Sequence, residues 1–182
     1  MSHTGRVVDD AVPSDALDHM LASNRDWLDR FQPGRVPAPP ARGLTVVTCM
    51  DARIVPLEVF GLGVGDAHVL RNAGGRVTPD VLRSLAVSTC VYGVRSVAVV
   101  HHTECGMALS TQRRLTDIVG TATGAAPTID FLAIADAHRA LLGDVAQCTG
   151  SGLLARGTRV AGYSYDVHSG RLVEVVPPTS AA

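Results

Sequence analysis

Between Leu44 and Val176 short apolar runs alternate with longer mixed stretches. Leu44-Thr45-Val46-Val47-Thr48 is apolar, β-branched and free of charge, the pattern of a strand covered on both faces. His68-Val69-Leu70-Arg71 is a second candidate strand and Ser96 to Val100 a third. Thr78-Pro79-Asp80 opens a helix through Val81, Leu82, Leu85 and Ala86, ended by Gly93. Strand, helix and strand with continuous apolar runs predict parallel pairing with helices on the faces. Thr121 to Ala126 reads as a small-residue loop, and Thr128 to Leu142 as a further helix. Its apolar side would carry Ile129, Leu132, Ala133, Ala137 and Leu141. Val160–Val167 and Arg171–Val176 flank His168-Ser169-Gly170, which predicts a terminal β-hairpin. The expected fold is therefore α/β, a mainly parallel central sheet flanked by helices, with a C-terminal β-hairpin.

The N-terminal part follows another period. Ser14 to Phe31 predicts an amphipathic helix, with Ser14 as N-cap and Asp15 and Asp18 in the first turn. Leu17, Met20, Leu21, Trp27, Leu28 and Phe31 fall near one face. Gln32 to Gly43 then holds four of the ten prolines, so the helix stands off on a linker. The expected division is one domain: a helical arm over 1–31, a Pro-rich linker over 32–43 and a core over 44–182. The apolar stripe must be buried, either back on its own core or across a partner subunit.

Composition narrows the function classes. Sixteen basic against seventeen acidic residues give a net charge of -1. That balance argues against a nucleic-acid-binding domain and against a polybasic membrane-surface protein. No apolar run reaches the ~18 residues of a membrane-spanning helix. Met1 to Asp10 lacks the apolar stretch of a secretory signal, so a cytoplasmic location is expected. In that reducing compartment Cys49, Cys90, Cys105 and Cys148 are expected as ligands, nucleophiles or core thiols rather than disulfides.

The first strand runs into Cys49-Met50-Asp51-Ala52-Arg53, the third into His101-His102-Thr103-Glu104-Cys105-Gly106. Ligands of open α/β sheets bind beyond the carboxyl ends of the strands, at the switch point in strand order. If the two strands are neighbours, both segments reach one crevice. Two thiolates and an imidazole suit zinc. His102 and Cys105, two residues intervening, are expected to grip one ion, with Cys49 from the other strand. Asp51 lies two residues beyond Cys49 and points the same way in extended chain. It can serve as a fourth ligand, and Arg53, two residues further, can compete for it. Each part has a plainer reading. A strand-end cysteine is usually a small core residue, an Asp-x-Arg pair usually a surface ion pair, and Cys105–His102 alone would make a nucleophilic dyad. His101 is expected to face the other way and pack in the core, and His68 to be structural. Cys90 and Cys148 are expected to be inert. Gly61-Leu62-Gly63-Val64-Gly65 lacks dinucleotide-binding spacing, Thr111 stands where a phosphatase-type loop needs Arg, and no Cys-x-x-Cys pair exists.

Cys49-Met50-Asp51-Ala52-Arg53 together with His102-Thr103-Glu104-Cys105-Gly106 resembles the β-class carbonic anhydrases. The resemblance runs from Leu44 to Met107, includes Arg71-Asn72-Ala73-Gly74, and extends to the C-terminal hairpin of short bacterial members. It implies one zinc per subunit on Cys49, His102 and Cys105, with Asp51 and Arg53 as a catalytic dyad. It implies a lyase hydrating carbon dioxide to bicarbonate and a proton, as a homodimer or dimer of dimers with N-terminal helices embracing the neighbour. Relatives on the same scaffold act on carbon disulfide or carbonyl sulfide. A non-catalytic zinc-stabilised binding module is the remaining alternative.

Overall fold

The computed structural model describes residues 16–31 and 36–182. They fall into two compact units, divided after Val36 within the Pro-rich stretch. In the first, helix α1 spans Ala16–Leu28. Leu17, Met20, Leu21, Trp27, Leu28 and Phe31 are all exposed. Trp27 and Phe31, four apart, stack with ring centroids 5.8 Å apart, as the helical period allows. The expected N-cap Ser14, with Asp15 beside it, lies outside the described residues.

The second unit is a five-stranded sheet in the order β2-β1-β3-β4-β5. Its strands are β1 (Leu44–Cys49), β2 (Ala67–Asn72), β3 (Ser96–His102), β4 (Arg159–Tyr165) and β5 (Leu172–Ser180). The first four run parallel and β5 returns antiparallel on β4 as the expected hairpin. Helices α2 (Pro56–Val59), α3 (Pro79–Cys90), α4 (Gln112–Thr123) and α5 (Ala137–Gly150) complete the unit. Chain order reverses beside β1. It leaves β1 for β2 on one side, then crosses back through α3 to β3 on the other. That makes the crevice between β1 and β3 the switch point, where ligands of such sheets bind.

The apolar runs become strands because both faces are covered. Val47, Val97, Val99 and Val160 pack with Val81 and Leu85 of α3 and Leu141, Val145 and Cys148 of α5. Val46, Val100 and Tyr165 form a second cluster with Ile54, Leu62 and Ile134. Each fully buried aliphatic side chain contributes about 1.5–3 kcal/mol relative to exposure. Alternation along β3 places Val97, Val99 and His101 toward α5, and Val100 and His102 toward the other cluster. Thr78 caps α3 by accepting from the Val81 amide, with Pro79 in the first turn.

The helix expected over Thr128–Leu142 does not form as one piece. Residues 125–136 are irregular, Leu132 takes a left-handed φ of 56°, and α5 begins at Ala137. Asp136 accepts from the Arg139 amide and caps α5 there. Instead α4 precedes this segment, capped by Thr111 and ended by Gly124 at φ 69°. No α4 residue is buried, although its Leu115, Ile118 and Val119 keep helical spacing. Cys148 is a buried residue of α5.

Candidate metal centre

Parallel pairing of β1 with β3 brings the two motif segments to one end of the sheet. One ligand atom from each of Cys49, His102 and Cys105 lies within 4.8 Å of the others, and all three residues are buried. The Sγ atoms of Cys49 and Cys105 stand 3.9 Å apart. Two sulfurs each ~2.3 Å from a shared tetrahedral ion would be ~3.8 Å apart, whereas a disulfide needs ~2.05 Å. The imidazole is prepared in the same sense. His102 Nδ1 donates to the Thr103 carbonyl at 2.9 Å, which leaves Nε2 with its lone pair free. That Nε2 is buried and has no hydrogen-bond partner. An orphaned acceptor between two thiols is costly in an empty protein and satisfied by a cation. The residues present fit zinc.

Electrostatics agree. The Cys105 thiol beside it draws the Cys49 pKa well below the ordinary thiol value, against the burial that opposes it. The same contact, with burial, pushes Cys105 up. One thiolate is therefore readily formed, and a bound dication supplies the charge that stabilises the second.

Asp51 and Arg53 sit at the rim. Arg53 Nε donates to Asp51 Oδ1 at 2.9 Å and Nη2 to Oδ2 at 2.7 Å, a two-pronged pair. The hydrogen-bonded guanidinium holds the Asp51 carboxyl well below the usual carboxylate range. Asp51 Oδ2 also lies 3.8 Å from His102 Nε2, so its carboxylate borders both the metal position and Arg53. Arg53 Nη2 donates in addition to the Glu104 carbonyl at 3.1 Å. A cavity of about 310 Å³ opens over these groups, lined among others by Cys49, Asp51, Gly74, Cys105 and Met107.

Backbone packing sets the ligand positions. Arg71, on β2, donates to the Cys49 carbonyl at 2.9 Å and the Asp51 carbonyl at 2.8 Å. The Met50 amide donates to the Asn72 carbonyl at 2.9 Å. Gly75, at φ +65°, lies so close to Cys49 that an added Cβ would meet its amide nitrogen at 2.9 Å. The Arg71–Gly74 segment, part of the resemblance noted above, and Gly75 beside it thus hold the turn carrying Cys49 and Asp51. Of the other candidates, His68 Nδ1 pairs with Ser88 Oγ at 2.8 Å, away from the cluster. His101 faces α5. Cys90 is exposed at the end of α3, and Cys148 is buried with its pKa raised by burial to about 12.

Comparison with known proteins places this geometry. The carbonic anhydrase family model matches residues 44–129. β-Carbonic anhydrase 1 of Mycobacterium tuberculosis is 36% identical over 160 residues, 88% of this chain and 98% of the relative. The chain belongs to the β-carbonic anhydrase family. The crystal structure of the Streptococcus mutans carbonic anhydrase superposes with a TM-score of 0.85 at 36% identity, covering 91% of this chain and 99% of that one. The carbon disulfide hydrolase of Saccharolobus solfataricus is 38% identical over 94 residues, only 52% of this chain and 45% of that protein. Carbonic anhydrases of this family are zinc lyases, and the Cys49–His102–Cys105 cluster has the donors such an ion needs.

Proposed function

We propose that this chain catalyses the reversible hydration of carbon dioxide to bicarbonate and a proton, with one zinc per subunit on Cys49, His102 and Cys105. The observation that carries the reading is the two sulfurs 3.9 Å apart beside the unpartnered Nε2 of His102. A bound zinc would supply the Lewis acidity that lowers the pKa of water and so makes a nucleophile for carbon dioxide available. Asp51 accepts a hydrogen bond from that nucleophile and orients its lone pair toward the substrate carbon. Arg53 holds Asp51 ionised and in place through the two-pronged pair. Asp51 would also be the alternative fourth ligand, with Arg53 competing for its carboxylate through the two-pronged pair. The cavity over the cluster admits substrate beside Met107 and Gly74.

The carbon disulfide reading is the weaker one. Sequence similarity to the Saccharolobus hydrolase covers half of this chain. A solved carbon disulfide hydrolase, though it covers 88% of the chain, superposes at a TM-score of 0.64 against 0.85 for the Streptococcus mutans carbonic anhydrase. A stopped-flow hydration assay on zinc-loaded protein tests the proposal, with carbon disulfide and carbonyl sulfide as competing substrates. Hydration without turnover of the sulfur compounds is expected. Turnover of carbon disulfide alone moves the assignment to the hydrolase, and no turnover of any of them leaves a zinc-stabilised binding module.

The partner in assembly is a second copy of the chain. The exposed stripe of α1 needs cover. In the second unit an apolar groove of about 400 Å³ on the sheet, lined by Val46, Phe60, Val100 and Tyr163 among others, offers a surface of matching chemistry. A homodimer, or a dimer of dimers, with α1 laid across the neighbour follows. The compartment is the cytoplasm, which suits four free thiols. No described helix is long and apolar enough to cross a membrane.

A further inference from the structure

On the face of β3 that meets α5 lies a buried charged cluster that the reaction does not use. Asp144 of α5 is 1% exposed. Its Oδ2 accepts from Arg76 Nε at 2.7 Å and from His101 Nε2 at 3.0 Å, and its Oδ1 from the Val77 amide at 3.0 Å. The other His101 nitrogen, Nδ1, is buried without a partner, so the bond to Asp144 is what fixes the ring. Arg76 is itself bracketed. Its amide donates to Asn72 Oδ1 at 2.8 Å, its carbonyl accepts from Asn72 Nδ2 at 2.7 Å, and its Nη1 donates to the Leu132 carbonyl at 3.0 Å.

These bonds join the two segments that carry the ligands. His101 immediately precedes His102. Arg76 and Val77 close the turn whose Gly75 presses on Cys49 and whose Gly74 walls the cavity. A buried ion pair is weak evidence for stability, since apolar groups of the same shape often serve as well. Its connections are the informative part. One carboxylate spans from the His102 side of the metal position to the Cys49 side, and touches no ligand.

We infer that Asp144 is a positioning residue for the metal centre: through His101 on one side and Arg76–Val77 on the other, it fixes the separation of the ligands from β1 and β3. This rests on the zinc reading above. Asp144 acts on the metal only through the backbone of these two segments. Its loss therefore changes ligand geometry, not ligand number.

The test uses the full chain loaded with zinc or with cobalt as a spectroscopic stand-in, in the cold, well below the melting transition. His101→Leu removes one donor and leaves Asp144 bonded to Arg76 and Val77, so it is the gentler variant, and Asp144→Asn is the stronger one. Each is expected to weaken zinc about tenfold in chelator competition and to shift the cobalt d–d and thiolate charge-transfer bands. His101→Gln, which keeps an N–H for Asp144, is expected to restore most of both. The double variant Asp144→Asn/His101→Leu should be no worse than Asp144→Asn alone, because both act through one contact. Wild type binding one zinc, with both single variants matching its affinity and spectrum while melting lower, overturns the positioning role alone. Wild type binding no zinc overturns the metal reading together with it.

Discussion

Arg53 closes a two-pronged ion pair on Asp51, at 2.9 and 2.7 Å, while the same carboxylate stands 3.8 Å from His102 Nε2. Asp51 thus borders both Arg53 and the proposed metal position, and under the zinc reading the balance between the two would set access to the ion. Arg53 keeps Asp51 ionised over the whole working range, so moving between partners shifts no proton on Asp51 itself. A water taking its place at a bound zinc would lose one. Low pH therefore favours Asp51 on the metal, and high pH favours Asp51 on Arg53 with the site open. Two thiolates and an imidazole already neutralise the ion, so it acidifies water less than three imidazoles do, for which the value is ~7. Hydration is expected to climb with pH to a midpoint in the weakly alkaline range. Arg53→Ala removes the competing partner and should cut kcat/KM about 100-fold, with no recovery at high pH. A pH–rate profile of both proteins decides it. A flat wild-type profile, or normal rates in Arg53→Ala, removes the switch and leaves the metal site standing.

The sulfurs make a sharper contrast. Cys49→Ala or Cys105→Ala should lose most bound zinc and all measurable hydration, and His102→Ala likewise. Cys90→Ala, at an exposed position, should change neither. Cys148→Ala should keep zinc and activity but lose about 1 kcal/mol of stability, since its side chain is fully buried between α5 and the sheet. Metal analysis by mass spectrometry alongside thermal melting separates the two kinds of effect. A Cys49→Ala protein with full zinc and activity refutes the ligand set.

Acid should expose the Asp144 cluster. Burial raises the Asp144 pKa, but the hydrogen bonds from His101 and Arg76 and the Arg76 charge more than offset it, and the net shift is downward. A carboxyl depressed in the folded state stabilises it above the unfolded pKa of ~3.9, and that contribution is lost as pH falls through the lower folded value. Asp144→Asn leaves the half-buried Arg76 without its anion, a loss of about 2 kcal/mol at neutral pH. The deficit should shrink as the pH drops below ~4. Urea unfolding at neutral and acid pH measures it. An equal deficit at both refutes the charge as its source.

The sheet and the three proposed ligands were legible although Cys49 and Cys105 lie 56 positions apart, because each ligand stands at or just past the end of a strand with a readable local pattern. β1 and β3 announce themselves as uncharged β-branched runs, and the motif residues stand at the strand ends where the switch point lies. The Asp144 cluster was not legible. Its members lie 43 and 68 positions apart in the chain, and each alone reads as an ordinary polar residue. The helix expected from Thr128 failed for a different reason. Ile129, Leu132 and Ala133 keep helical spacing, but Ile129 is exposed and Ile134 turns inward as a backbone partner of Met107. Apolar spacing there reflects an irregular segment anchored at the cavity. The cue that decides it is Asp136, which caps the helix that does form.

Under the proposed assembly, deleting residues 1–31 should turn a homodimer into monomer, or into aggregate at higher concentration, as apolar surface loses its cover. Size-exclusion chromatography with light scattering reads the mass directly. Replacing Leu21 and Leu28 by Ser in the full chain should have the same direction of effect with the chain length kept. An unchanged dimer in both cases shows that α1 is not part of the interface.

Gly75 carries the most local prediction. At φ +65° any other residue is strained, and a Cβ there would lie 2.9 Å from the Cys49 amide nitrogen and 3.0 Å from the Thr48 carbonyl carbon. Both are backbone atoms of a strand paired on each side by β2 and β3, so they cannot yield as a flexible side chain would. The turn must move instead, away from Cys49 and with it the wall of the cavity at Gly74. Gly75→Ala should therefore weaken zinc and lower kcat, and cost about 1–3 kcal/mol of stability for the strained backbone. Gly170→Ala is the control: φ is +71° and nothing lies within 4 Å of its Cβ, so it carries the backbone strain without the collision. It should lose stability by a similar route and keep zinc affinity and rate. Equal effects of the two substitutions on zinc affinity show that the collision with Cys49 is not what matters at Gly75.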